Sequence, residues 1–224
     1  MREWQVGDPI GDGNDIGVPD IPYMDYLKNN TDYVSSSSIS NSKQYQQRAW
    51  NAYEDNRPED ALKYINKAID INPHDEGNWN IKGIILENLY RKGSIYEPND
   101  VERCYNKALD INPNNKILKL NKAIFLTFRA IEWYEEEMYG HAKLTINEAL
   151  DLIEDKSSDD YAIALDIKGS ILLKQWEFDE SLKCYNRALE IMPEDSVIKK
   201  NIKKLKNDKH LYDRGVLQYF DQGW

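Results

Sequence analysis

Few residues in this sequence have types and spacing suited to chemistry. His74, His141 and His210 are the three histidines. A metal site needs ligands that converge, as with two His one helical turn apart, and none of the three has a second candidate ligand at that spacing. Each reads as a solvated or capping residue. Cys104 and Cys184 directly precede Tyr105 and Tyr185. That equivalence points to a small packing side chain rather than a reactive thiol. Two cysteines cannot build a disulfide framework or a zinc ribbon. The run Gly11-Asp12-Gly13-Asn14-Asp15-Ile16-Gly17 has the glycines of a phosphate loop but the wrong spacing, no preceding strand, and carboxylates that repel phosphate. Asp12, Asn14 and Asp15 lack the alternation and closing Glu of a calcium loop. The run reads as an acidic segment broken by turns. No Ser-His-Asp or Cys-His arrangement is available. The expectation is a non-enzymatic chain with no catalytic, cofactor-binding or metal-ligating residues and no cofactor.

Charge narrows the partners. Of 224 residues, 29 are Lys or Arg and 39 are Asp or Glu, a net charge of -10. This argues against nucleic acid, whose binding rests on clustered cations. Hydrophobic residues at 41% and charged ones at 30% suit a helical protein with much exposed surface. The sequence has neither the apolar stretch of a signal peptide nor the 18 or so apolar residues of a membrane span. A soluble, cytoplasmic protein with no membrane partner is therefore expected.

The charge is unevenly laid out. Residues 1–42 carry Glu3, Asp8, Asp12, Asp15, Asp20, Asp25 and Asp32 against Arg2 and Lys28, and end in a serine-rich run. Residues 196–224 carry six Lys and one Arg against three Asp. Between them the sequence repeats itself. ALKYINKAIDINPHD (61–75) returns as VERCYNKALDINPNN (101–115), AKLTINEALDLIEDK (142–156) and SLKCYNRALEIMPED (181–195). In each copy apolar and small residues fall at helical spacing, and Pro73, Pro113 and Pro193 stop a helix. Each copy follows another amphipathic stretch with a small residue near its middle: Ala49, Gly83, Ala123 or Gly169. A small residue there lets a partner helix approach closely.

The unit is thus a pair of antiparallel helices of about 34 residues, used four times. It resembles the tetratricopeptide repeat. The second copy shows Trp79, Lys82, Gly83, Leu86, Tyr105, Ala108 and Pro113; the fourth shows Leu165, Gly169, Leu172, Ser181, Tyr185, Ala188 and Pro193. The second copy is lengthened around 93–100, which reads as a loop. The third is lengthened around 130–136, which reads as extra helical turns, and has Glu154 in place of the proline. Val101 replaces a small residue. The expected fold is an all-α, right-handed α-solenoid of about four such hairpins. The expected layout is an acidic segment and linker at 1–42, repeats at 43–195, a basic capping helix at 196–209 and an aromatic tail at 210–224. In the cap, Ile198, Ile202 and Leu205 form an apolar stripe, with Lys199, Lys200, Lys203, Lys204 and Lys206 around it.

What the resemblance implies is a concave face, lined by the first helix of each repeat, that receives a polypeptide segment. The groove residues would be Gln46, Trp50, Tyr53, Asn80, Ile84, Glu87, Leu120, Ile124, Thr127, Asp166, Ser170 and Leu173. The two-carboxylate clamp of some members is not expected, because Gln46, Trp50, Ile81, Ile117 and Asn121 supply no cation. The implied function is non-catalytic protein–protein interaction, as an adaptor or assembly factor. The alternatives are a structural subunit anchored through its tails and an RNA- or ribosome-associated factor using the Lys-rich cap. The tails carry candidate docking residues: Trp4, Ile16, Ile21, Tyr23, Met24, Tyr219, Phe220 and Trp224. The basic cap would attract the acidic N-terminal segment or an acidic partner.

Overall fold

The computed structural model describes residues 37–215, and the tail residues just named lie outside them. The described residues form nine α-helices and no strand. Four hairpins follow in order: α1 (Ser37–Glu54) with α2 (Pro58–Ile71), α3 (Glu76–Arg91) with α4 (Pro98–Ile111), α5 (Lys116–Glu135) with α6 (Tyr139–Leu152), and α7 (Asp159–Lys174) with α8 (Phe178–Ile191). A last helix, α9, spans Ser196–Asp213 and so runs past residue 209. The fold is all-α, of the helical-hairpin solenoid class.

The helix ends follow local chemistry. The first helices begin on side-chain caps: Asp75 accepts from the Gly77 N–H at 2.9 Å and Ser158 from the Tyr161 N–H at 3.2 Å. Asp195 caps α9 by accepting from Val197 and Ile198 at 2.8 and 2.9 Å. The stretch 93–100 is a loop only in part. Pro98 opens α4, because the first helical position needs no N–H. The extra length at 130–136 extends α5 by further turns, to 20 residues against 16 in α3 and α7.

Every hairpin turns by one device. Asn56, Gly93, Glu137 and Trp176 all have left-handed φ, between 55° and 74°. The next residue's N–H reaches back to a carbonyl five residues earlier: Arg57 to Ala52, Ser94 to Leu89, Met138 to Trp133 and Glu177 to Leu172, at 2.8–3.1 Å. This closure satisfies carbonyls that the helix end would leave bare. Glycine takes such a φ freely, whereas a bulky side chain there is strained, so Trp176 stands out.

Two compact units divide the described residues, 37–122 and 123–215. In the first, Ala49, Ala61, Ile65, Ala68, Ile81, Ile85, Val101 and Tyr105 are fully enclosed or nearly so. Val101 fits at the expected small position with no exposure. In the second, Ala142, Ile146, Ala149, Ile171, Tyr185, Ala188 and Leu205 play that part. The close approaches are a pair of matched contacts. A Cβ at Gly83 would sit 2.8 Å from the Tyr105 ring, and one at Gly169 would sit 2.7 Å from the Tyr185 ring. Only glycine lets these rings lie against the first helix of their hairpin.

Candidate functional site

The side chains of the first helices are the expected groove residues, and the two units use them differently. In residues 37–122 most serve internal hydrogen bonds. Gln46 on α1 is buried; its amide donates to Asn78 Oδ1 at 2.9 Å. Asn78 is directed at Ser42 Oγ and the Ala68 and Asn72 carbonyls at 3.1–3.2 Å, tying α1 and α3 to the end of α2. Asn80 is fully enclosed and accepts from Asn121 at 3.0 Å. Trp50 and Tyr53 are buried with ring centroids 5.4 Å apart. Ile84 is buried, while Glu87 and Leu120 are half-buried. Two donors in this set, Trp50 Nε1 and Asn80 Nδ2, are buried without an acceptor.

Charge on this face is neutralised within the chain. Glu87 pairs with Arg91 at 2.5 Å and accepts from the Tyr105 hydroxyl at 2.7 Å. Burial, reinforced by the Glu87 charge, pushes the Tyr53 phenol up to about 12 and the Tyr105 phenol well above its ordinary value. Both hydroxyls stay protonated, and that of Tyr105 donates to Glu87.

In residues 123–215 the first-helix residues meet α9 instead. Ile124 and Thr127 are half-buried on α5, with the Thr127 hydroxyl bonded back to the Ala123 carbonyl at 2.8 Å. Asp166 on α7 is buried and accepts from Asn201 on α9 at 2.9 Å. Burial raises its carboxyl to about 6, opposed by the Asn201 hydrogen bond and supported by Asp195. Ser170 Oγ and the Tyr185 hydroxyl are 3.0 Å apart.

Ser170 and Leu173 open onto a cavity of about 560 Å³. Its floor includes Tyr185 and Val197, and Tyr134 and Trp176 contribute aromatic wall. Three cations border it, Lys174, Lys200 and Lys204, against Asp208. The Lys174 ammonium lies 5.8 Å from the Tyr134 ring centroid and 6.0 Å from that of Tyr139. Trp176, 38% exposed, stacks on Tyr212 of α9 at 5.7 Å, and Phe178 packs against both.

Lys174, Lys200, Lys204 and Trp176 are absent from the groove set predicted from sequence. A signal for the two α9 lysines was present. The groove positions 166, 170 and 173, advanced by one repeat length of 34, fall on Lys200, Lys204 and Asn207. The capping helix therefore carries the side-chain register of another first helix.

The remaining candidates for chemistry are placed apart. His141 packs against the Trp133 ring at 5.2 Å, and His74 and His210 are exposed. Among the described residues no three His, Cys, Asp or Glu side chains are grouped to hold a metal ion. Burial raises the Cys104 thiol to about 11 and also raises the Cys184 thiol. Among the described residues no helix is long and apolar enough to cross a membrane.

Hairpins joined by a common left-handed turn, with a glycine–tyrosine contact repeated in the second and fourth of them, define an all-α repeat protein. Residues 42–75 and 162–195 each match the family model of the tetratricopeptide repeat. The chain carries tetratricopeptide repeats. No curated protein matches it in sequence. Among solved structures it is similar to PilF of Pseudomonas aeruginosa, at 17% identity over 84% of this chain and 79% of that one, with a TM-score of 0.52. A MamA protein is similar at 15% identity over 81% of this chain and 88% of that one, with a TM-score of 0.57. MamA of Desulfovibrio magneticus RS-1 is similar at 15% identity over 84% and 100% of the two chains, with a TM-score of 0.53. These likenesses concern the fold.

Proposed function

We propose that the chain is a non-catalytic adaptor or assembly factor that holds a polypeptide segment against the first-helix face of its repeats. The observation that carries this reading is the cavity bordered by α7 and α9. Its walls combine apolar area, two paired hydroxyls and several cations, a mixture suited to side chains and main chain of a peptide. The thiols held protonated by burial fit a surface that binds rather than reacts.

The test is a site-directed photo-cross-linking series on the full chain. A photoreactive residue beside the cavity, at Ser170, should capture polypeptide, and one at Lys63 on the exposed side of α2 should not. Equal capture at both positions, or none at either, refutes the reading.

A further inference from the structure

Gly215 ends α9 with the turn that ends the first helix of every hairpin. Its φ is 72°, in the left-handed range of Asn56, Gly93, Glu137 and Trp176. Its N–H donates to the Tyr212 carbonyl, three residues back, at 2.8 Å. The four earlier turns make the same bond at 2.9–3.1 Å: Asn56 to Tyr53, Gly93 to Tyr90, Glu137 to Tyr134 and Trp176 to Leu173. The second helices end otherwise. α2, α4, α6 and α8 stop at Asn72, Asn112, Ile153 and Met192, all with negative φ. After Asn56, Gly93 and Trp176 the next helix packs back along the one just ended. Gly215 therefore marks a reversal of the chain.

Where that reversal leads follows from the length of α9. In α7 the residue seven before the turn is Gly169, and the returning helix lays the Tyr185 ring on it. Seven and eleven residues before Gly215 stand Asp208 and Lys204, and both line the α7–α9 cavity. Gly215 comes 39 residues after Trp176, five beyond the repeat length of 34. Five extra residues rotate the exit by about 140° around the helix axis. The chain is thereby turned off the flank where a fifth second helix would lie and onto the groove side.

The cavity and the nine residues after Gly215 suit each other. Tyr134, Leu173 and the exposed Trp176 give the cavity apolar and aromatic wall. Lys204 makes no ion pair among the described residues, whereas Lys200 is already engaged. Residues 216–224 include Val216, Leu217, Tyr219, Phe220 and Trp224, and their one charge is Asp221. Leu217, Phe220 and Trp224 recur at three and four residues, the spacing of one helical stripe. A stretch this short holds no helix alone in water, so the stripe needs a surface to lie on. Lys204 lies about 16 Å back along α9 from Gly215, and nine residues extended span about 30 Å. Gly215 and the cavity belong to the same unit, 123–215, so this reach depends on that unit alone. So short a tether presents the segment at an effective concentration of roughly millimolar, which favours it over the same segment of a second copy.

We propose that residues 216–224 fold back at Gly215 and occupy the α7–α9 cavity of their own chain, with Leu217 and Phe220 against Tyr134, Leu173 and Trp176 and with Asp221 beside Lys204. The inference rests on the reading of this face as polypeptide-binding. It makes the segment an internal competitor: an outside partner must displace it, and a peptide pairing aromatic side chains with a carboxylate is the kind that would.

The test uses the full chain with p-benzoylphenylalanine replacing Phe220. An equal mixture of isotope-labelled and unlabelled chain tells links within a chain from links between two. Irradiation should join residue 220 to the wall of its own chain, at Tyr134, Leu173, Trp176 or Lys204, as mapped by mass spectrometry. Gly215→Val should lower that yield roughly tenfold, because a β-branched residue resists the left-handed conformation. Gly215→Asn should keep it, since Asn56 holds the same conformation. A Cβ at Gly215 meets open space, so both variants should keep the parent circular dichroism. Leu217→Asp, with the turn intact, should also lower the yield. Absence of links to the wall, links only between two chains, or equal yields from the Val and Asn variants would each overturn the proposal.

A second arm separates this failure from failure of polypeptide binding itself. With the photoreactive residue at Ser170 instead, links to residues 216–224 of the same chain are expected. Links from Ser170 to another polypeptide, with none to 216–224, remove the internal docking and leave polypeptide binding standing. No link of either kind removes both.

Discussion

The α3–α4 and α7–α8 hairpins repeat one packing contact and put it to different ends. In each, a tyrosine ring lies on a glycine of the first helix, at separations a methyl group would violate. The hydroxyl at the far end of the ring then meets different company. Tyr105 donates to the Glu87 carboxylate, which also holds Arg91. Tyr185 meets the neutral Ser170, with the Asp166 carboxyl and lysines of α7 and α9 nearby. One hydroxyl meets a carboxylate already held in an ion pair, and the other meets a neutral hydroxyl. The comparison teaches that the repeat fixes the skeleton, while the groove residue facing the ring decides what the ring's hydroxyl bonds to.

The largest effect expected is common to both hairpins. Tyr105→Ala and Tyr185→Ala should each cost about 3–5 kcal/mol in denaturant unfolding, since each leaves a ring-sized void against a glycine. A cost below 1 kcal/mol for either would show that the two contacts are not equivalent.

Asp166, which meets Asn201 of α9, supplies a further difference. Its carboxyl is raised to about 6 in the folded chain. The folded state thus favours the protonated form, so the stabilising effect is complete below the unfolded value and is lost as pH rises through about 6. Asp166→Asn should stabilise the protein by about 2–3 kcal/mol at pH 7.5. The advantage should vanish near pH 4, as read by thermal melts across pH. A gain that does not change with pH would assign the effect to packing instead.

The hydroxyls themselves sharpen the contrast. Tyr105→Phe removes a hydrogen bond to a carboxylate and should cost about 1.5–3 kcal/mol, whereas Tyr185→Phe removes a neutral one and should cost about 0.5–1.5 kcal/mol. Equal costs in parallel urea titrations would break the comparison. The smallest effect concerns helix starts. Asp195→Ala should cost about 1 kcal/mol through loss of two N–H contacts at the start of α9, and Ser158→Ala should cost a similar or smaller amount.

Much of the skeleton was legible because it depends on local rules. The spacing of Ala49, Gly83, Ala123 and Gly169 marks the first helices, and Pro73, Pro113 and Pro193 stand two residues beyond the ends of α2, α4 and α8. The loop at 93–100 was over-read, since Pro98 can start a helix as easily as it can end one. The site was less legible. Gln46, Asn80 and Asp166 sit at groove positions, but whether such a side chain faces a ligand or a neighbouring amide depends on partners more than thirty residues away. Asn78, Asn121 and Asn201 are those partners, and nothing local announces them. The lysines of α9 read as a solvated face because the helix looked like a lid. Its register as a further first helix shows only when positions 166 and 170 are advanced by one repeat length.

The stacking of Tyr212 on Trp176 has a consequence for how this end of the protein comes apart. The last turn of α9 cannot fray without stripping cover from a ring that already sits on a strained backbone. Opening of the terminal helix is thereby coupled to loosening of the turn between α7 and α8. Amide exchange in the two places should rise and fall together, as a single cooperative unit rather than as a loose end on a firm body.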